Sequence, residues 1–503
     1  MLLAFMMIGM AFGSDGIFKI QFDNYWFTEQ ICTVALVFIM FYGGAGTRVN
    51  EAKPVAPQAV LLSSLGTVLT AGFVGLFSIF VLKMQVLEGL LMGAVISSTD
   101  AASVFSILRS KRLNLKYKTA SLLELESGSN DPFSYMLTAI ILSLITGDTT
   151  HSGILYMLFA QLTYGIFFGL IIAFLTIFFM KRFSFNSDGF DAIFVVAAAL
   201  LSYAVPAALG GNGYLSAYIT GIILGNNQIR NKRALVHFFD GVTGLMQMLL
   251  FFLLGLLSFP SEFGKTALPA ICIALFLTFI ARPLAVFLIL TPFKCTPKQQ
   301  LLVSWAGLRG AASIVFAIMT VVSPAQIGND VFHTVFVIVL FSILVQGTLL
   351  PHIAKRLNMT DDSGDVMKTF TDYTYELPVS FIQLKIPDGH HWTEKTIKDL
   401  ALPLNLMLAL IVRGEEKIIP SGTTELKSGD KVILCGKSTE SIDGVKIFER
   451  EVDKNDDWCE KKLKEISTGG ELILMIKRGE KLIIPDGNTK LFENDIVIVN
   501  KSE

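Results

Sequence analysis

Two polar clusters interrupt apolar stretches of this chain, and both carry carboxylates. Ser97-Ser98-Thr99-Asp100 lies in the middle of an apolar run over 86–108, and Glu126-Ser-Gly-Ser-Asn-Asp131-Pro132 lies in the next run, 119–146. A charged carboxylate costs about 2.5 kcal/mol or more at the centre of a membrane helix, so acids placed there are functional sites by default. On a helix, Ser127 and Asp131 are spaced i, i+4 and share a face, while Glu126 and Asn130 share another about 100° away. Desolvation works against the charged form of a buried carboxylic acid. Such a group can hold a proton or an alkali cation but not both, and that competition would couple the two flows. The oxygens of Thr99, Ser127 and Asn130, with carbonyls freed at a helix break, are hard donors suited to Na⁺ or K⁺. No His or Cys lies in these segments, which argues against a transition-metal substrate.

A third cluster is Trp305-Ala-Gly-Leu-Arg309-Gly-Ala-Ala-Ser313, in the run 299–322. Gly307 and Gly310 on either side of Arg309 predict a second helix break. A pair between Arg309 and Glu126 would hold helices together as readily as it would serve transport. Ser97 and Ser98 fit a hydrogen-bonding seam between helices equally well. Asp100 and Asp131 then remain without a fixed partner, which favours a proton or cation site. Arg282, in ARPLAVF, either pairs with an acid or sits near the cytoplasmic end of its span. Glu124, close to the basic Lys116–Lys118 loop, is an accessory candidate at a cytoplasmic funnel.

The elements that must position these residues are long and apolar. Of 503 residues 17% are charged, against about 25% in a usual soluble chain. Twelve apolar runs fill 1–353: 1–12, 26–46, 56–82, 86–108, 119–146, 153–180, 190–209, 213–225, 235–258, 266–290, 299–322 and 331–353. Most are long enough to cross about 30 Å of hydrocarbon as helices. They are continuous rather than alternating, which excludes a barrel and predicts a helical bundle. One set of alternate loops carries sixteen Lys and Arg and the other only Lys19, Lys83 and Lys265. The basic set, which includes Lys355 and Arg356, is expected in the cytoplasm. From about 354 the composition is that of a soluble domain, expected on the same side. Met1 opens into an apolar run without a basic leader, so no cleavable signal is expected. The five cysteines form no CxxC pair, and neither a disulfide framework nor a zinc site is expected. A net charge of −1 points to no class of partner.

At these residues the chain resembles the monovalent cation:proton antiporters of the CPA1 type, in particular the NhaP branch. The matching motifs are FYGGAGT at Phe41–Thr47, Thr99-Asp100, ESxxND at Glu126–Asp131 and GLRG at Gly307–Gly310, in the family's order, and the resemblance covers the membrane part end to end. The resemblance implies a polytopic α-helical membrane protein of about 12–13 spans, built of inverted repeats with two discontinuous crossed helices. It implies that Asp131 carries the exchanged ion, with Thr99, Ser127 and Asp100 near it, and that Asn130 supports the crossing. It also implies that Glu126 pairs with Arg309. Family members usually have thirteen spans, with one more before MIGMAFGSDG, so a start upstream or a missing span is expected. In the family's count the runs 86–108 and 299–322 are the two discontinuous helices, in agreement with the breaks read from the residues.

The C-terminal part repeats itself. Residues 379–400 align with 445–466 at an offset of 66, which places Trp392 on Trp458, and residues 413–434 align with 478–499 at an offset of 65. Each copy is predicted to run strand, helix, then three strands with turns at RG and PxG. The first copy, over 376–440, resembles a TrkA-C (RCK-C) domain, and 441–503 is a degenerate version, joined to the membrane part by a linker over 357–375. The resemblance implies a cytoplasmic α+β regulatory domain that dimerises and, in some relatives, takes a nucleotide or cyclic dinucleotide. A bare dimerisation clamp is the competing reading. No GxGxxG is present, and no cofactor is expected.

Taken together these features predict a K⁺/H⁺ or Na⁺/H⁺ exchanger in a bacterial inner membrane, a homodimer, neither an enzyme nor a nucleic-acid binder. The association of TrkA-C domains with potassium systems favours K⁺. An RCK-regulated potassium channel is the second reading, but GNGYL at 211–215 is the nearest approach to a filter and occurs once. An intramembrane aspartyl protease using Asp100 and Asp131 is the third, and the local motifs it needs are not seen.

Overall fold

A computed structural model describes residues 2–360 and 379–501, apart from the stretches 148–150, 184–188, 403–405, 438–446, 453–455, 467–470 and 479–480 and some isolated positions. The expected linker over 357–375 lies outside the described residues from 361 onward. The chain divides into two compact units, Met1–Tyr375 and Glu376–Glu503.

All twelve apolar runs are helical. In chain order they are α1 (Leu2–Phe12), α2 (Tyr25–Gly46), α3 (Ala56–Phe80), α4 (Val86–Val95) with α5 (Ala101–Ser110), α6 (Thr119–Thr146), α7 (His151–Arg182), α8 (Phe190–Ala208), α9 (Gly213–Asn226), α10 (Lys232–Leu256), α11 (Pro260–Leu290), α12 (Pro297–Trp305) with α13 (Ala311–Val322), and α14 (Val331–Arg356). Seven of these are long and apolar enough to cross a membrane on their own. Two runs break in the middle, between Val95 and Ala101 and between Trp305 and Ala311, where the polar clusters fall. Three others pass through a π-helical turn, at Leu62–Gly66, Leu277–Ala281 and Ser342–Gly347. Such turns often mark functional sites, and no residue type in the sequence announces them.

Glycines weld the helices in pairs. A Cβ at Gly44 would come within 2.2 Å of the Tyr218 carbonyl, and one at Gly221 within 2.0 Å of the Phe41 carbonyl, so α2 and α9 touch backbone to backbone. Gly93 meets the Ala71 carbonyl in the same way and joins α4 to α3. In a lipid solvent close packing of this kind replaces the hydrophobic drive between helices. Two groups result: α3 to α6 with α11 to α14, and α1, α2 and α7 to α10. They meet where α13 packs on α2 and α6 on α9. Outward faces are apolar, with Leu155, Phe159, Phe174 and Phe178 of α7 and Leu268 and Phe279 of α11 all exposed.

The second unit holds two four-stranded antiparallel sheets of the same topology. Strands β1 (Val379–Lys385), β2 (Leu406–Arg413), β3 (Glu416–Ile418) and β4 (Lys431–Lys437) lie in the order β1-β4-β2-β3. Strands β5 (Ile447–Glu451), β6 (Glu471–Arg478), β7 (Lys481–Ile483) and β8 (Ile496–Lys501) lie in the order β5-β8-β6-β7. The helix expected after the first strand is only a three-residue 3₁₀ turn in each copy, Ile397–Asp399 and Leu463–Glu465. Its backbone is already engaged across the fold. Ile397 and Lys398 donate to the carbonyls of Thr424 and Gly422, and Leu463 and Lys464 to those of Thr489 and Gly487. Each copy is pinned by one buried acid. Arg413 reaches Asp430 through Nε and Nη2, both at 2.8 Å, and these bonds hold the Asp430 carboxyl below the usual carboxylate range. Arg478 and Asp495 repeat the fork at the same distances.

Candidate cation site

The broken run α4–α5 leaves the carbonyls at the end of α4 and the amides at the start of α5 without helical partners. Other segments supply them. Ser134 of α6 donates to the Ala94 carbonyl at 2.7 Å, and Ser127 donates to the Thr99 carbonyl at 2.5 Å. Asn130 donates through Nδ2 to the Thr99 hydroxyl at 2.5 Å, and the Ser98 hydroxyl donates to Asp131. Residues 127, 130, 131 and 134 recur at helical spacing, so one face of α6 straps the whole break. Asp100 caps α5, accepting from the Ser103 amide at 3.2 Å and the Ser103 hydroxyl at 2.6 Å.

The second break meets the first. The Asp100 amide donates to the Leu308 carbonyl at 2.8 Å. Arg309 donates through Nη1 to the carbonyls of Ser97 at 2.8 Å and Ser98 at 2.5 Å. Its positive charge thereby sits at the carbonyl end of α4, where the helix dipole favours a cation. The Arg309 amide is held by the Ser342 hydroxyl at 3.0 Å, which lies in the π-turn of α14. Gly310 is required at this crossing, because a Cβ there would stand 2.4 Å from the Asp100 side chain. Gly310→Ala is therefore expected to overpack the crossing by about 1–3 kcal/mol. Thermal melting of the purified protein in detergent should show the loss, while an unchanged midpoint would contradict it.

The structure thus brings Thr99, Ser127, Asn130 and Asp131 into one cluster, with Asp100 and Arg309 on the adjoining crossing. Asp131 is 5% exposed and has no ion-pair partner among the described residues. Asn130 is 1% exposed, and its Oδ1 has no hydrogen-bond donor, which leaves a buried carbonyl oxygen beside Asp131. A carboxylate, two hydroxyls and an orphaned amide oxygen form a hard oxygen set that fits a desolvated alkali cation.

The pairing expected between Glu126 and Arg309 is not what the structure holds. Glu126 pairs with Arg282, Nη2 to Oε1 at 2.5 Å, and both side chains are buried. Arg309 is occupied with the two carbonyls of the break, and carbonyls of a broken helix leave no trace in residue types. Arg282 follows directly on the π-turn Leu277–Ala281 of α11. Of the two placements left open by the sequence, it takes the pair with an acid. Glu124 is partly buried and shares its face of α6 with Gly128, which packs against the Tyr218 ring. Sequence reasoning missed Ser134 and the Ser342 anchor, both ordinary polar residues of apolar helices. It also missed Glu88 of α4, buried and accepting from the Gly328 amide at 2.8 Å and from Asn329.

Comparison with known proteins agrees with this architecture. Residues 1–356 match the family model described as sodium/hydrogen exchanger, transmembrane, and residues 381–442 and 447–500 each match the TrkA-C domain. The chain is 31% identical over 449 residues to the K(+)/H(+) antiporter NhaP2 of Shewanella baltica (strain OS223), covering 88% of this chain and 77% of that one. It is 33% identical over 446 residues to the K(+)/H(+) antiporter NhaP of Alkalimonas amylolytica, with 88% and 78% covered. The solved structure of the sodium proton antiporter MjNhaP1 from Methanocaldococcus jannaschii at pH 8 superposes with a TM-score of 0.62 at 24% identity, over 71% of this chain and 92% of that one, a likeness of fold. The chain belongs to the sodium/hydrogen exchanger family, as a multi-pass membrane protein with two TrkA-C units at its C-terminal end.

Proposed function

We propose that this protein exchanges K⁺ for H⁺ across a bacterial inner membrane, with both ions competing for Asp131. The observation that carries this reading is a buried carboxylate without an ion pair, set among hydroxyl and amide oxygens where two broken helices cross. Thr99, Ser127 and Asn130 supply the oxygens that replace cation hydration, and Asp100 and Arg309 hold the crossing. K⁺ is favoured over Na⁺ by the relatives named K(+)/H(+) antiporters, which match 88% of the chain. The excess of Lys and Arg in one set of alternate loops supports a cytoplasmic C-terminal unit, where a nucleotide or cyclic dinucleotide would regulate exchange in a homodimer.

Everted membrane vesicles loaded with a pH-sensitive dye test the reading. Acidified vesicles are expected to release protons on addition of K⁺, with a weaker response to Na⁺ and Li⁺ at equal concentration. A response to Na⁺ alone reverses the choice of cation. K⁺ conductance without proton movement replaces the exchanger with a channel.

A further inference from the structure

One turn beyond Asp131 on α6, away from the basic Lys116–Lys118 end, stands Tyr135. Its ring packs edge-on against Tyr214 of α9 at 5.0 Å between centroids, and Tyr214 in turn lies 4.9 Å from Tyr203 of α8. Phe316 of α13 completes the group, 6.0 Å from Tyr135 and 6.2 Å from Tyr214. Tyr214 is 2% and Phe316 1% exposed, and Tyr135 and Tyr203 are half-buried. The Tyr214 hydroxyl points to the Thr33 hydroxyl of α2 at 3.4 Å. Four residues before Thr33, on the same face of α2 and one turn farther out, is Glu29. It is half-buried and has no basic partner among the described residues.

The position of these rings matters more than their number. Tyr135 and Phe316 belong to the helix group that carries the crossing, Tyr203 and Tyr214 to the other group. Alternating access works by moving one such group against the other around a fixed site. Edge contacts between rings close a passage yet are individually weak, so they can part and reform in each cycle. Their faces and hydroxyls also attract a cation in passage.

We propose that Tyr135, Tyr203, Tyr214 and Phe316 form the outer gate of the pathway to Asp131, and that Glu29 is the carboxylate that gathers cations in front of it. The proposal rests on cation and proton exchange at Asp131. The test uses the full-length chain in right-side-out and everted vesicles. In Glu29→Gln the half-saturating K⁺ concentration is expected to rise about threefold or more at the outer face, through loss of local cation enrichment, and to stay unchanged at the inner face. Glu29→Asp is expected to bring the outer value back toward that of the parent protein. An equal shift on both faces, no shift on either, or loss of exchange in both directions at normal protein levels overturns the role of Glu29. In Tyr214→Ala an imposed pH gradient is expected to decay faster without added cation. Decay at the parent rate overturns the gate. Asp131→Asn runs beside both, and exchange that survives it overturns the exchange site instead of the gate.

Discussion

Asp131→Asn is expected to reduce cation-dependent proton efflux to that of vesicles lacking the protein, at unchanged protein level. The substitution is nearly isosteric, and an asparagine oxygen can still accept the hydrogen bond that Ser98 gives to Asp131. Packing between α6 and the break of α4–α5 should therefore survive. What disappears is the ability to hold a proton in one half-cycle and to neutralise a cation in the other. Measured beside it, Glu124→Ala should keep exchanging, because Glu124 lies about two turns away on α6 and outside the oxygen cluster. Efflux that persists in Asp131→Asn would move the exchange site elsewhere, with Asp100 the first alternative.

The second large effect concerns the buried pair. Arg282→Met leaves the Glu126 carboxylate buried without its partner, and Glu126→Gln leaves Arg282 in the same position. Removing one member of such a pair costs about 3–5 kcal/mol, whereas replacing both by apolar residues is often nearly neutral. Each single variant is expected to melt well below the parent protein in detergent, and Arg282→Met/Glu126→Leu to recover most of the loss. A cycle between Glu126 and Arg309 should show the smaller coupling, because Arg309 spends its hydrogen bonds on Ser97 and Ser98. Stronger coupling to Arg309 would restore the pairing that the motif resemblance implies.

That reversal shows where a sequence stops being informative. The breaks were legible because SSTD and the glycines around Arg309 are conspicuous in apolar runs. The cluster of Thr99, Ser127, Asn130 and Asp131 followed from helical spacing and a motif. The two C-terminal sheets were legible because their repeat is written twice, and the one-residue change of offset falls between Leu400 and Leu406, ahead of the second strand. Choosing between two buried arginines was not legible. It depends on which guanidinium lies nearer the freed carbonyls, a matter of backbone path through a π-turn. The missing helix of each TrkA-C unit has a similar origin, since the amides that would have formed it bond to a loop some 25 residues later in the chain.

Charge bookkeeping inside the bundle sets a thermodynamic ceiling. Glu126 is neutralised by Arg282, so a site whose exchanging acid is Asp131 alone would trade one proton for one monovalent cation. No net charge then crosses in a cycle. The membrane potential, worth about 2.3 kcal/mol per elementary charge per 100 mV, has no leverage on such an exchange. The pH difference alone drives it, at about 1.4 kcal/mol per unit. One unit of pH would thus support roughly a tenfold gradient of the cation.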